Sequence, residues 1–409
     1  MKEKMRILTL DNSFTFGGAI NSLAHMVKAL DRETVEVILV TGQPRPFVEE
    51  AFPGTTCYHY RPKLSWVDNG WYRRMTGFPP FGMRPLRRAL NALRFLYWCL
   101  FVYLPEGVRY YRIGKRHGVH LVHLNNIFGS QIAGIVAAKL LGVPCVAHLR
   151  DFEEVDRVTR FLARLVDHHV AISGAIEANL LELGVKRSRI SVVHDAIDLE
   201  AFVGAPPIDS LCAEFGIAPI APRYGIFGRV IDWKGIKEFI LAARKVKDAV
   251  PDAVAFIVGG ASDGTAAFYQ EMQDLVRRLG LEKDVVFTGY RQDIPALMGF
   301  MDVVVHASNR PEPFGMVLIE AMAMSRPVVA TRAGGPLDIV EEGTTGKLVD
   351  MGDVAGLADA VIVLLRNRPL MEAMGKAARR RVEKHFHNGL YAGKMHDVFK
   401  ECIAQGNGD

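Results

Sequence analysis

The sequence predicts an α/β protein of two doubly wound, Rossmann-like domains facing each other across a cleft. Three observations carry this. At 409 residues the chain is too long for one ordinary core. Short β-branched runs alternate with helical patterns almost throughout, which is the pattern of parallel sheets covered by helices. The alternation breaks once, near 196–223, at a stretch holding Gly204, Pro206, Pro207, Pro219 and Pro222. The expected boundaries are a first domain over 1–198, a linker with a small helix over 199–222, and a second domain over 223–386.

The elements follow in order. Ile7-Leu8-Thr9-Leu10 reads as a strand, and Ile20, Leu23, Val27 and Leu30 share one helical face. Residues 35–40 form the next strand. Residues 44–83 are rich in Pro, Gly and aromatics and read as a long insertion or loop. Alternation resumes with strands at 119–124 and 143–149, separated by a helix carrying Ile132, Ile135, Val136 and Leu140. The second series places strands at 224–227, 255–258, 285–288, 303–306 and 328–330. Ligands of such sheets bind outside the carboxyl ends of strands, so the cleft is the expected site.

Composition excludes several classes. Five scattered cysteines with no C-x-x-C pair argue against a disulfide framework or structural zinc and for a reducing compartment. Residues 1–10 lack the apolar core of a signal peptide. The net charge of +5 conceals an asymmetry: residues 61–116 hold twelve Lys/Arg and two acids among many aromatics. That segment reads as an anionic membrane contact, with Arg84, Arg87, Arg88 and Arg94 as candidates; a buried basic helix is the plain alternative. Its apolar run, Ala89–Leu104, is sixteen residues long and interrupted, short for a membrane span. No nucleic-acid-binding motif is evident. His117, His120 and His123 would not share a face, which argues against a metal site.

The chemistry concentrates at strand ends. Glu312 lies in a Pro- and Gly-broken loop and is expected to point into the cleft. Glu320, eight positions on, sits inside an apolar helix and needs a polar partner if buried. The helix start between them offers backbone N–H groups to an anion. Gly228 ends a strand and is followed by Arg229 and then Lys234, a pairing suited to a diphosphate. Gly334 and Gly335 precede another helix and read either as a ligand approach or as a tight connection. Gly17 and Gly18 repeat this in the first domain. His148 ends a first-domain strand and is either a substrate contact at the cleft edge or a structural histidine. Neither a dinucleotide fingerprint nor a P-loop is present.

Together these residues resemble the retaining glycosyltransferases of family 4 (group 1 glycosyltransferases), which have the GT-B fold. Glu312 to Glu320 is similar to the family's E-x7-E motif, and Gly228-Arg229 with Lys234-Gly235 to its diphosphate-binding pair. Gly334-Gly335 with Thr345-Gly346, and Ala171-Ile172-Ser173, also fit. The resemblance implies that Arg229 and Lys234 neutralise the diphosphate and Glu320 holds the ribose. It places Glu312, with the amides of Phe314 and Gly315, beside the donor sugar and has His148 contact that sugar. Gly17 and Gly18 would leave room for phosphate and acceptor. It implies a nucleotide-sugar co-substrate, UDP-linked on family base rate, with no cofactor or metal. It also implies an acceptor-side first domain rejoined by a C-terminal helix at about 387–409. There are two departures from the pattern: His194-Asp195-Ala196-Ile197-Asp198 stands where Asn-Gly-Val/Ile-Asp is usual, and Asp338 replaces Glu.

The expectation is a sugar transfer to a lipid-linked or glycan acceptor in cell-surface polysaccharide or glycolipid synthesis. The protein would be cytoplasmic and peripheral on the inner face of the membrane. The alternatives are a nucleotide-sugar epimerase of the same fold and a non-catalytic partner of a transferase.

Overall fold

The computed structural model describes residues 4–12, 17–60, 93, 95–204, 206–261 and 264–406. The chain forms two compact units. One holds the chain up to Ile172, Ile176–Val193 and the chain from Ala392 on; the other holds Ser173–Ala175 and His194–Tyr391.

The first unit contains β1 (Met5–Asp11), β2 (Val35–Thr41), β3 (Thr56–His59), β4 (Leu121–Asn125), β5 (Cys145–Leu149), β6 (His168–Ala171) and β7 (Ile190–Val192). They form one seven-stranded sheet in the order β3-β2-β1-β4-β5-β6-β7, parallel at each pairing. Every residue of β4 and β5 is buried, as expected where helices cover both faces of a parallel sheet. The strand order reverses between β1 and β4, so their carboxyl ends flank a crevice. The helix Asn388–Gly406 ends in this unit, where the Phe399 ring lies 5.3 Å from that of His123.

The second unit contains β8 (Arg223–Phe227), β9 (Val254–Val258), β10 (Val285–Gly289), β11 (Val303–His306), β12 (Val328–Thr331) and β13 (Gly346–Val349). Its sheet is parallel with the order β10-β9-β8-β11-β12-β13 and reverses between β8 and β11. The helix Ile236–Ala249 buries Ile236, Phe239, Ile240, Ala243 and Val246 along one stripe, the 3.6-residue period of an amphipathic helix. Each fully buried aliphatic or aromatic side chain there contributes roughly 1.5–3 kcal/mol.

The two architectures are the doubly wound domains expected, with local corrections. The stretch expected as a loop over 44–83 contains a helix, Arg45–Ala51, with a proline in its first turn, where proline is tolerated, and the edge strand β3; residues 61–83 lie outside the described residues. β6, β7 and β13 escaped the reading because they are short, and β6 opens with His168-His169, which masks its apolar pattern. Among the described residues no helix is long and apolar enough to cross a membrane. Arg84, Arg87, Arg88 and Arg94 lie outside the described residues.

Candidate functional site

The site of the second unit is built where β8 and β11 end. Gly228 leaves β8 with φ of 138°, a backbone region L side chains rarely adopt. Its N–H bonds to Val258 O and the N–H of Val230 to Gly260 O, which pins the loop to the end of β9. Between these anchors Arg229 is exposed, and its guanidinium has no hydrogen-bond or ion-pair partner among the described residues. A single 3-10 turn, Asp232–Lys234, follows. Gly235 closes it at φ of 73°, and a Cβ there would stand 1.8 Å from Ala307 O. Only glycine lets this turn lie against the end of β11, and that contact brings Lys234 to Glu312.

Glu312 is held by its neighbours. It is buried, and one carboxylate oxygen, Oε2, takes three donors: Lys234 Nζ at 2.8 Å, Ser308 Oγ at 3.1 Å and His306 Nε2 at 3.2 Å. Burial alone would raise its pKa; the His306 hydrogen bond and the Lys234 charge outweigh that and hold it at about 2. The Lys234 ammonium also sits 4.0 Å from the centre of the Trp233 ring. His306 Nδ1 has no partner among the described residues. The sequence reading missed His306 and Ser308. The available signal was polar residues directly after the apolar run Val303-Val304-Val305.

The loop after Glu312 is braced from three sides. Gly335 N–H bonds to Glu312 O at 2.8 Å, and Gly334 bridges Glu312 in parallel. A Cβ on Gly334 would lie 2.1 Å from Glu312 O, and one on Gly335 2.1 Å from Phe314 O. Of the two readings open for this pair, the structure shows close backbone packing; the Gly335 amide is already used internally. Ser173 Oγ donates to Pro313 O at 2.6 Å. The buried Phe314 ring stacks on His194 at 6.0 Å and meets Phe386 edge-on at 6.0 Å. His194 Nε2 in turn lies 3.3 Å from Asp338, which also accepts the Gly174 N–H at 2.7 Å. Burial works against the Asp338 carboxylate, but these contacts lower its pKa overall. His194, at the head of the stretch 194–198 that departs from the family pattern, is thus a partner of Asp338.

Gly315, at φ of 112°, opens the helix Met316–Ala323. The amides of Phe314 and Gly315 have no acceptor among the described residues, as is usual at a helix start, where no preceding turn supplies carbonyls. Glu320, half-buried one turn on, has no hydrogen-bond or ion-pair partner among the described residues, and burial pushes its pKa up to about 7. The polar partner expected for it is not found among the described residues.

In the first unit, Gly17 caps and Gly18 opens the helix Gly18–Ala29; both are exposed beyond the end of β1. His148 does not reach an exposed edge. It is fully buried in β5, 5.7 Å from His123 ring to ring, and burial with the Arg150 charge keeps it neutral. Its main chain is paired on both sides, to β4 and β6, which fixes it inside the sheet. The polar ends of the neighbouring strands, missed from sequence, join instead: Asn125 donates to Asp11 at 3.0 Å and accepts from Arg150 Nε at 2.7 Å. Among the described residues no three His, Cys, Asp or Glu side chains converge to hold a metal.

Comparison with known proteins gives concordant results. Residues 216–381 match the family model of glycosyl transferases group 1, and residues 16–201 that of Glycosyltransferase Family 4. The N-acetyl-alpha-D-glucosaminyl L-malate synthase of Bacillus anthracis is 26% identical over 304 residues, 71% of this chain and 77% of that protein. The lipopolysaccharide core biosynthesis mannosyltransferase LpsB of Rhizobium meliloti is 32% identical over 232 residues, 56% of this chain and 64% of that protein, so under two thirds of its length is matched. Among solved structures, Anabaena Alr3699/HepE, crystallised with UDP and glucose, superposes with a TM-score of 0.77 at 24% identity, covering 97% of this chain and 99% of that one. A glycosyltransferase from Rickettsia africae gives 0.82 at 20% identity, covering 98% and 99%. With a glycosyltransferase model matched in each half and two doubly wound sheets in one chain, the protein belongs to the GT-B-fold superfamily of glycosyltransferases.

Proposed function

We propose that this chain is a retaining, metal-independent glycosyltransferase of family 4. It would move a sugar from a UDP-linked donor to a lipid-linked or glycan acceptor in cell-surface glycan synthesis. The observation that carries the reading is the exposed Arg229, its guanidinium without a partner among the described residues, in the same loop at the carboxyl end of β8 that brings Lys234 to Glu312. Cations at that place are matched to a departing diphosphate. Arg229 and Lys234 take up charge as the bond from the anomeric carbon to the phosphate oxygen breaks. The acceptor oxygen bonds to the same face of that carbon, and its proton passes to the departing phosphate. The amides of Phe314 and Gly315 face negative oxygen, and Glu320, without a donor among the described residues, accepts from ribose hydroxyls. Glu312 is held ionised beside the sugar. Gly228 keeps the diphosphate approach open, Gly334 and Gly335 act by bracing 312–314, and Gly17 and Gly18 leave room for the acceptor. A direct sugar contact by His148 is not retained, because its ring has no exposed surface.

The donor assignment draws on relatives. HepE was crystallised with UDP-glucose, and an Escherichia coli relative is named for UDP-Gal. The acceptor assignment draws on LpsB and on that same enzyme, whose acceptor is a diphosphoundecaprenol. A lipid-linked acceptor would put the protein at the cytoplasmic membrane face.

The test is the thermal stability of the protein with UDP, GDP and ADP, each with its sugar conjugates, without metal. The UDP series should stabilise the protein, by about 2.7 kcal/mol at a hundredfold excess over Kd, and Arg229→Ala should remove more than half of the shift. No shift with any nucleotide rejects the proposal. Donor conversion with no acceptor present points to an epimerase instead.

A further inference from the structure

The first unit carries an apolar stripe on its surface. Helical backbone over residues 95–98 runs through the π-helical turn Cys99–Tyr103 into the helix Leu104–His117. Leu93, Leu96, Tyr97, Leu100, Phe101 and Leu104 recur at steps of three and four, and each is exposed by between 42% and 63%. Tyr97 and Phe101 lie ring to ring at 4.9 Å. Singly exposed apolar residues are ordinary, but six at helical spacing form a contact surface. The same rod then turns basic. Arg112, Lys115 and Arg116 are exposed on Leu104–His117, while its one acid, Glu106, is buried. Arg112 and Arg116 have no ion-pair partner among the described residues.

We infer that this rod lies flat on an anionic lipid bilayer, its six apolar side chains at the acyl–headgroup boundary and its cations against lipid phosphates. The inference rests on the proposed membrane-side reading and moves its contact onto a defined element. A bilayer offers hydrocarbon and phosphate side by side, in the order in which this rod offers apolar and cationic surface. A second copy of the chain is a poorer occupant, since a two-fold contact matches the patch with itself and faces cations with cations. The apolar run is too short to span, so the rod lies on the membrane.

The test is co-sedimentation with phosphatidylcholine vesicles, with and without phosphatidylglycerol. Binding should require phosphatidylglycerol and weaken with salt. Leu96→Asp with Phe101→Asp should reduce it by at least about tenfold, and Arg112→Glu with Arg116→Glu should remove the preference for anionic lipid. Unchanged melting temperatures establish that both variants fold. Failure of the wild type to bind, or equal binding by the variants, overturns the inference. So does a dimer seen by light scattering that Phe101→Asp dissociates. The nucleotide shift is read separately: its absence rejects the transfer reading and leaves the vesicle result standing.

Discussion

Replacing Glu312 by Gln should destabilise the protein by about 2–4 kcal/mol near neutral pH, and the loss should fade in acid. The carboxylate takes three donors on one oxygen and its side chain is 11% exposed; Lys234 beside it is 21% exposed. A surface pair of this kind would contribute about 0–1 kcal/mol. Stranding one member of a buried pair costs about 3–5 kcal/mol. Gln keeps the shape and a carbonyl acceptor, worth about 1 kcal/mol as a neutral hydrogen bond, which leaves the stated loss. The sign with pH follows from the depressed pKa. Glu312 titrates at about 2 in the folded protein against 4.5 ordinarily. Its stabilisation is therefore complete above about 4.5 and disappears as pH falls toward 2. The assay is urea unfolding of wild type and Glu312→Gln from pH 7 to pH 3. A difference below about 0.5 kcal/mol at pH 7, or one that stays constant down to pH 3, would refute the buried-network account.

Three further outcomes are expected. Glu320→Gln should raise the melting temperature above pH 7 while losing the nucleotide shift, because the folded protein holds this carboxyl's pKa at about 7 and ionising it there disfavours the fold; a fall in stability at pH 8 would contradict this. Gly335→Ala should weaken nucleotide binding and lower stability by about 1–3 kcal/mol, since its Cβ meets the Phe314 carbonyl and must push the loop aside; calorimetric titration with UDP and thermal melting together check it. Arg229→Ala should leave the melting temperature of the free protein unchanged, as an exposed side chain without a partner, yet weaken UDP by roughly 1.5–3 kcal/mol, the worth of a charge-assisted bond; a lowered melting temperature would show a structural role instead.

Much of the architecture was legible. Runs such as Val303-Val304-Val305 and the stripe Ile20, Leu23, Val27 and Leu30 declare strand and helix through local periodicity, and loops between them must lie at strand ends. The Pro- and Gly-marked turns at 228–235, 311–315 and 334–336 were legible for the same local reason. Short strands opened by histidine were not, because burial of a neutral imidazole looks from sequence like an exposed polar residue.

By itself the sequence determined two parallel α/β units and the positions in the chain of the residues that carry the chemistry, since hydrophobic period and backbone chemistry act between near neighbours. Only the tertiary structure decided what those residues do to one another. Lys234 meets Glu312 across 78 positions and Gly174 meets Asp338 across 164. His194 answers the shortened Asp338, the glycines at 334 and 335 hold a loop, and His148 lies inside its sheet. Strand order, set by burying apolar faces of the whole chain at once, brings those distant ends together, and no local pattern encodes it.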